Sequence, residues 1–388
     1  MTPVPVPIRQ FVLKVHSRCN LACTYCYIYE GPDTSWRQRP VRVSPAVMRR
    51  TARRIAEHVR THRLPAVRLD LHGGEPLLGG AGPLVDYVRT VREALPSWCA
   101  LSAGVQTNGT LLTESALTEL RAAGIRIGLS ADGGTPRLNR RRTDHAGRSS
   151  YPAVARAARL LAARPESYAG ILCTIDLASP PAEVYRSLAA WRPPMLDFLL
   201  PHANWSSPPP RPEGVTSPSP YGDWLCTVFD LWWDSRPPGP RIRLFSEIIG
   251  LLFGRPGGIE AVGLSPVATL VIETDGTVEQ VDSLRSAHAG ASATGLDVFR
   301  HDFDTALTHS GVAARQRGIA DLGRVCRECA LLTVCGGGNY VHRYREGSGF
   351  RHPSVYCADL ERLIRYIAAR LGDAMYPLTS PEIGYRAS

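Results

Sequence analysis

Between Gln10 and about Asp234 short apolar runs alternate with stretches of helical period. Phe11–His16, Val67–His72, Leu101–Thr107, Ile125–Ser130, Gly170–Asp176 and Leu196–Pro201 have the length and side-chain character of strands. The intervening segments carry helix signals. Ser44-Pro45 offers an N-cap and a proline at the first helical position, and Ala52, Ile55, Ala56 and Val59 then recur three and four residues apart. Thr113 opens another helix with Glu114 in its first turn, and Gly124 closes it. Strands joined by helices predict a parallel sheet, since a parallel neighbour needs a crossover. Six such units are too few to close an eight-stranded barrel.

The period changes further on. Ser206–Pro220 is rich in proline and serine and reads as a loop. Tyr221–Asp234 is helical, and its stripe of Trp224, Phe229, Trp232 and Trp233 predicts core packing. Ile242–Phe253 reads as a bridging helix. From about Gly263 a β-hairpin around Asp275-Gly276 precedes a cysteine-rich segment, and Leu360–Leu371 is helical. The expected division is a barrel core over 1–240, a smaller cysteine-bearing module over 241–360, and a C-terminal helix and tail over 361–388.

A chain of 388 residues with 44% hydrophobic and 21% charged residues is globular, not disordered. It contains no apolar run of about 18 residues or more, and Met-Thr-Pro-Val-Pro-Val-Pro-Ile lacks the regions of a signal peptide. The expectation is a cytoplasmic protein with no membrane partner, its ten cysteines reduced. The net charge of +10 is carried by arginine, Lys14 being the only lysine. These arginines are scattered and form no groove-binding stripe, so nucleic acid is not an expected partner.

The cysteines carry the chemistry. Cys19, Cys23 and Cys26 form C-x3-C-x2-C, and Cys326, Cys329, Cys335 and Cys357 form C-x2-C-x5-C-x21-C. Three thiolates fill a tetrahedral zinc site only with a distant fourth ligand, yet they can hold three irons of a four-iron cluster and leave the fourth open. Four thiolates suit zinc or a complete cluster equally. Cys99, Cys173 and Cys226 have no ligand spacing and read as buried thiols. His72-Gly73-Gly74-Glu75-Pro76 follows the second strand, where paired glycines admit a close approach and Glu75 can accept from an ammonium group. Gln106-Thr107-Asn108-Gly109 ends the third strand, Ser130 and Asp132 end the fourth, and Asn139-Arg140-Arg141-Arg142 follows.

The three-cysteine spacing, with Tyr25 before its last cysteine and the Gly-Gly-Glu-Pro turn beyond, resembles radical S-adenosylmethionine (SAM) enzymes. The resemblance implies an α/β fold, a partial (β/α)6 radical SAM barrel with its chemistry at the C-terminal ends of the strands. In that family one electron from the cluster splits SAM, and a 5′-deoxyadenosyl radical takes hydrogen from an unreactive carbon. It further implies that Gly73, Gly74 and Glu75 hold the SAM amino group and that Ser130 and Asp132 lie by its ribose and carboxylate. Tyr25 and Asn108 join the cofactor contacts. Of the three arginines Arg142 is favoured for the carboxylate, a task suited to a permanently charged, bidentate guanidinium.

The second cysteine set, with Cys335-Gly336-Gly337-Gly338, resembles the outer auxiliary cluster of a SPASM domain. A full domain has seven cysteines and an inner cluster. Here the hairpin has none, and Asn339 stands where a further ligand would fall, so two [4Fe-4S] clusters are expected. Sulfatase-maturing relatives follow a hairpin cysteine with a catalytic aspartate. Here Val281 is followed by Asp282, the candidate base. His202, after the sixth strand, is placed at the substrate end.

Phe11–Cys19, Phe198–Ala203 and Glu273–Gly276 resemble FxsB-type cyclophane-forming peptide maturases. That implies a ribosomally made precursor peptide, an aromatic side chain joined to a nearby Cβ, and an electron donor such as a flavodoxin or ferredoxin. Thioether crosslinking, epimerisation and sulfatase-type oxidation are alternatives on the same scaffold, the last disfavoured by the missing inner cluster. An iron–sulfur electron carrier needs neither an open iron nor a SAM pocket.

Overall fold

A computed structural model describes residues 5–375. Strands β1 (Gln10–His16), β2 (Ala66–Gly73), β3 (Ala100–Thr107), β4 (Ile125–Ser130), β5 (Tyr168–Thr174) and β6 (Met195–Leu199) lie parallel and adjacent in chain order. Helices α1 (Pro45–His62), α2 (Gly82–Ala94), α3 (Glu114–Ala122), α4 (Tyr151–Ala162) and α5 (Pro181–Ala189) make the crossovers. The caps are those the sequence offers: Ser44 accepts from the Val47 N–H, and Thr113 from the Ala116 N–H. Phe11, Leu13, Leu69, Leu71, Ile127 and Leu129 on the strands are buried, as are Ile55, Val59, Val88, Leu117 and Leu161 on the helices. Each such side chain contributes about 1.5–3 kcal/mol.

The sheet reaches beyond these six strands. After α6 (Pro220–Trp233) the two-residue strand β7 (Arg241–Ile242) pairs parallel with β6 and leads into α7 (Arg243–Leu252). On the other side, β8 (Thr269–Ile272) pairs parallel with β1, setting Gln10 opposite Thr269 and Leu13 opposite Ile272. The expected hairpin then turns into β9 (Thr277–Glu279), and β10 (Ala293–Asp297) pairs antiparallel with it. The order is β10-β9-β8-β1-β2-β3-β4-β5-β6-β7, so strands from residues 241–297 continue the barrel's own sheet.

Trp224 and Phe229 of α6 are buried, and Trp232 and Trp233 half-buried, against Phe245 and the C-terminal helix Cys357–Met375. The tail beyond that helix lies outside the described residues. Among the described residues no helix is long and apolar enough to cross a membrane.

Candidate active site

From the end of β1 the chain loops through Cys19, Cys23 and Cys26, and the turn after β2 holds that loop down. Gly74 N–H donates to the His16 carbonyl at 2.8 Å and Glu75 N–H to the Arg18 carbonyl at 2.9 Å. A Cβ at Gly73 would stand 2.4 Å from the His16 oxygen, and one at Gly74 would stand 1.9 Å from Tyr29 Oη. Close approach to the cysteine loop is therefore what these glycines permit.

The three thiols border one cavity of about 400 Å³ with Arg18, Tyr29 and Trp36. Leu21 N–H and Asn108 Nδ2 donate to Cys19 Sγ at 3.4 and 3.8 Å. Burial pushes all three thiols up, Cys19 to about 12, so their thiolates require a cation beside them. Three such donors around one space fit a [4Fe-4S] cluster with an open iron. At the second set Cys335 is pushed up to about 11, by burial and by its neighbours Cys357, Cys326 and Cys329, while Cys329 and Cys357 are exposed. Cys99, Cys173 and Cys226 are buried.

Glu75 is fully buried, and its carboxylate already accepts three protein hydrogen bonds, from Leu77 N–H (3.0 Å), Thr107 Oγ1 (2.6 Å) and Asn108 N–H (2.8 Å). It ties the end of β2 to the end of β3. A carboxylate offers about four lone-pair sites, which leaves one for an ammonium group. Ser130 Oγ accepts from Gln106 Nε2 at 2.8 Å.

Arg142, Tyr25 and Asp132 converge. Tyr25 Oη donates to Asp132 Oδ2 at 2.5 Å, Arg142 Nη1 donates to Tyr25 Oη at 2.8 Å and lies 4.0 Å from Asp132 Oδ1. Burial raises the Asp132 carboxyl pKa and opposes the Arg142 cation, but the Tyr25 oxygen and the Asp132 carboxylate outweigh that opposition on the arginine. Arg142 Nε is buried with no partner. The neighbouring arginines are committed elsewhere: Arg140 pairs with Asp176 at 2.6 Å, and Arg141 stands over the Tyr25 ring.

Asp282 begins a short 3-10 turn after β9 and is 8% exposed, so it is no hairpin-end carboxylate in water. Its Oδ2 is ion-paired with Lys14 of β1, and its Oδ1 is buried without a partner. Burial would raise its pKa, but Lys14, His72 and Arg285 overcome this and hold the carboxyl below its usual range. His202 packs edge-on against Tyr27, 4.7 Å between ring centres, and burial pushes it down to about 4. His202, His342, Val281 and Asn339 line one cavity of about 590 Å³, so both positions where an inner-cluster cysteine is missing face that space. Lys14, His72, Tyr27 and His342 were not singled out from the sequence. A lone lysine within an apolar strand, and a histidine just before the paired glycines, were the available signals.

Three thiols border one cavity beside a partial parallel barrel, and a buried arginine has its Nε free. Residues 13–172 match the radical SAM superfamily, and the protein is an enzyme whose cofactors are SAM and [4Fe-4S] clusters. It is similar to the cysteine-type anaerobic sulfatase-maturating enzyme of Clostridium perfringens, 24% identical over 376 residues, covering 94% of this chain and 97% of the relative. The serine-type enzyme of Bacteroides thetaiotaomicron is 24% identical over 392 residues, covering 94% and 91%. The solved structure of native anSMEcpe with bound AdoMet shares the fold, with a TM-score of 0.79 at 20% identity over 95% of this chain and 99% of that one.

Proposed function

We propose that the protein is a maturase that joins an aromatic side chain to a nearby Cβ in a ribosomally made precursor peptide, as FxsB-type cyclophane-forming enzymes do. The observation that carries this reading is the cavity of about 590 Å³ where Val281 and Asn339 replace cysteines, with room for an aromatic side chain beside the Asp282 turn. When bound, SAM and the clusters supply the radical that removes a Cβ hydrogen and an acceptor for the electron released at ring closure. Arg142 holds the SAM carboxylate through Nε, with Tyr25 and Asp132 fixing the guanidinium. Gly73, Gly74 and Glu75 face the amino group, and Asn108 and Ser130 belong to the same rim. The substrate carbon radical adds to the ring, which regains aromaticity by losing one electron and one proton. Asp282 takes that proton at Oδ1. His202 borders the ring, and a flavodoxin- or ferredoxin-type donor supplies the first electron.

Oxidation of a serine or cysteine side chain to an aldehyde is the second reading. It is favoured by similarity over 94% of the chain to enzymes named for sulfatase maturation. Mass spectrometry of the precursor peptide co-expressed with the protein separates the two. A crosslinked product is two hydrogens lighter, resists fragmentation between the joined residues, and does not react with hydroxylamine. A hydroxylamine adduct supports the oxidation instead, and an unmodified peptide refutes both.

A further inference from the structure

Lys14 is 4% exposed and projects from β1 between two side chains of other segments. Its Nζ is ion-paired with Asp282 Oδ2 and lies 3.1 Å from His72 Nδ1 of β2. An ammonium group has three donors and no acceptor. His72 Nδ1 also lies 3.0 Å from the Gly73 carbonyl, so the ammonium and that carbonyl both face the same ring nitrogen. His72 is pushed down to about 4 by burial and by the Lys14 charge, in keeping with a neutral ring.

Asp282 sits among other charges. Arg285 of its own turn approaches Oδ1 to 3.9 Å, but that guanidinium also binds Glu273 at 2.7 Å and Glu279 at 2.6 Å and lies 3.7 Å from Asp33. Arg39 is likewise engaged with Glu273, Asp275 and Glu279. The Glu273 and Glu279 carboxylates come within 4.8 Å of the Asp282 carboxylate and oppose its ionisation. Tyr27 and His202 face it from the cluster loop and the end of β6, and both are uncharged. Among the described residues Lys14 is ion-paired with Asp282 alone, although its charge also favours the Glu273 carboxylate.

We propose that Lys14 is a positioning residue: it keeps Asp282 ionised with Oδ1 turned free. This rests on the reading of Asp282 as the base. Without the ammonium, a buried carboxylate near two glutamates takes up a proton and cannot accept one from substrate.

The test uses the holoenzyme with its precursor peptide and reads the ratio of crosslinked product to 5′-deoxyadenosine between pH 6 and 8.5. For Lys14→Met the ratio is expected to fall about tenfold at pH 6.5 and to recover as pH rises, because burial then holds the carboxyl protonated at the lower pH. Lys14→Arg, which keeps the charge, should restore most of the ratio at low pH. A Lys14→Met ratio and pH profile equal to wild type overturn the proposal. If Lys14→Met does not fold, the arginine variant decides: a ratio as low as that of Asp282→Asn at every pH would show that charge is not what Lys14 supplies. Asp282→Asn separates the two failures. A wild-type ratio in that variant removes the base itself, whereas a low ratio there with an unaffected Lys14→Met removes only the role of the lysine.

Discussion

Arg142 offers the sharpest test of the SAM site, because its structural and ligand duties can be pulled apart. Methionine in its place keeps much of the volume and removes the charge. Breaking a buried pair by deleting one partner costs about 3–5 kcal/mol, and Asp132 would be left buried with only the Tyr25 hydroxyl and the Thr174 N–H. A charge-assisted bond from Nε to the SAM carboxylate is worth about 1.5–3 kcal/mol, which corresponds to a rise in Kd of about 10- to 150-fold. Arg142→Met is therefore expected to lower Tm and weaken SAM together. In Arg142→Met/Asp132→Asn no unpaired charge remains, so Tm should return toward wild type while Kd stays high. Equilibrium binding of SAM to the anaerobically reconstituted protein, alongside thermal unfolding, gives both numbers. If the double variant recovers SAM affinity to within about threefold, Arg142 serves only to neutralise Asp132 and the assignment is refuted. Arg140→Met should leave Kd near wild type, since that side chain is spent on Asp176.

Gly74→Ala should displace the cysteine loop, because its Cβ would fall 1.9 Å from Tyr29 Oη, and iron should drop from about eight toward about four per chain; full iron in that variant would show that the loop yields at no cost. Glu75→Gln puts an amide where a carboxylate accepts three bonds, so one donor loses its acceptor at about 1–3 kcal/mol, and an unchanged Tm would contradict the bonding described. A chain cut after residue 240 removes β8 from the edge of β1 and Asp282 from Lys14, and it should fail to fold; a cooperative thermal transition in residues 5–240 would refute that dependence.

The six barrel strands were legible because each is a short segment rich in apolar residues between helical stretches, and all begin within two residues of their expected starts. Caps at Ser44 and Thr113 were legible for the same local reason. What stayed hidden is non-local. β7 is two residues long and has no period to detect. The hairpin was visible, but nothing in Thr269–Ile272 says that it pairs with a strand some 260 residues earlier, and that pairing sets Asp282 against Lys14. The motif around Glu75 was readable as a ligand turn, whereas its engagement by Thr107 and Asn108 depends on the neighbouring strand's register. The motif does not distinguish Arg142 from its two neighbours, whereas the structure does, because Arg142 is buried with Nε unpartnered.

Buried polar atoms without a partner cost about 1–3 kcal/mol each if they stay dry, so they mark where a ligand or water belongs. Among the described residues Arg142 Nε, Asp282 Oδ1, His202 Nδ1 and His342 Nε2 are of this kind. The proposed SAM carboxylate would satisfy the first but not the histidines, which line the 590 Å³ cavity with ring centres 5.9 Å apart. Arg315 shows the contrast. All three of its side-chain nitrogens and Glu260 Oε1 lack hydrogen-bond partners, and the two side chains stand 3.7 Å apart at a space of about 40 Å³. That space has room for about one water and no organic group. The large cavity bordered by bare histidine nitrogens has room for an organic group, and under the proposed function a side chain that is both flat and able to hydrogen-bond, as a tyrosine or tryptophan ring is, would fill it with least left unsatisfied.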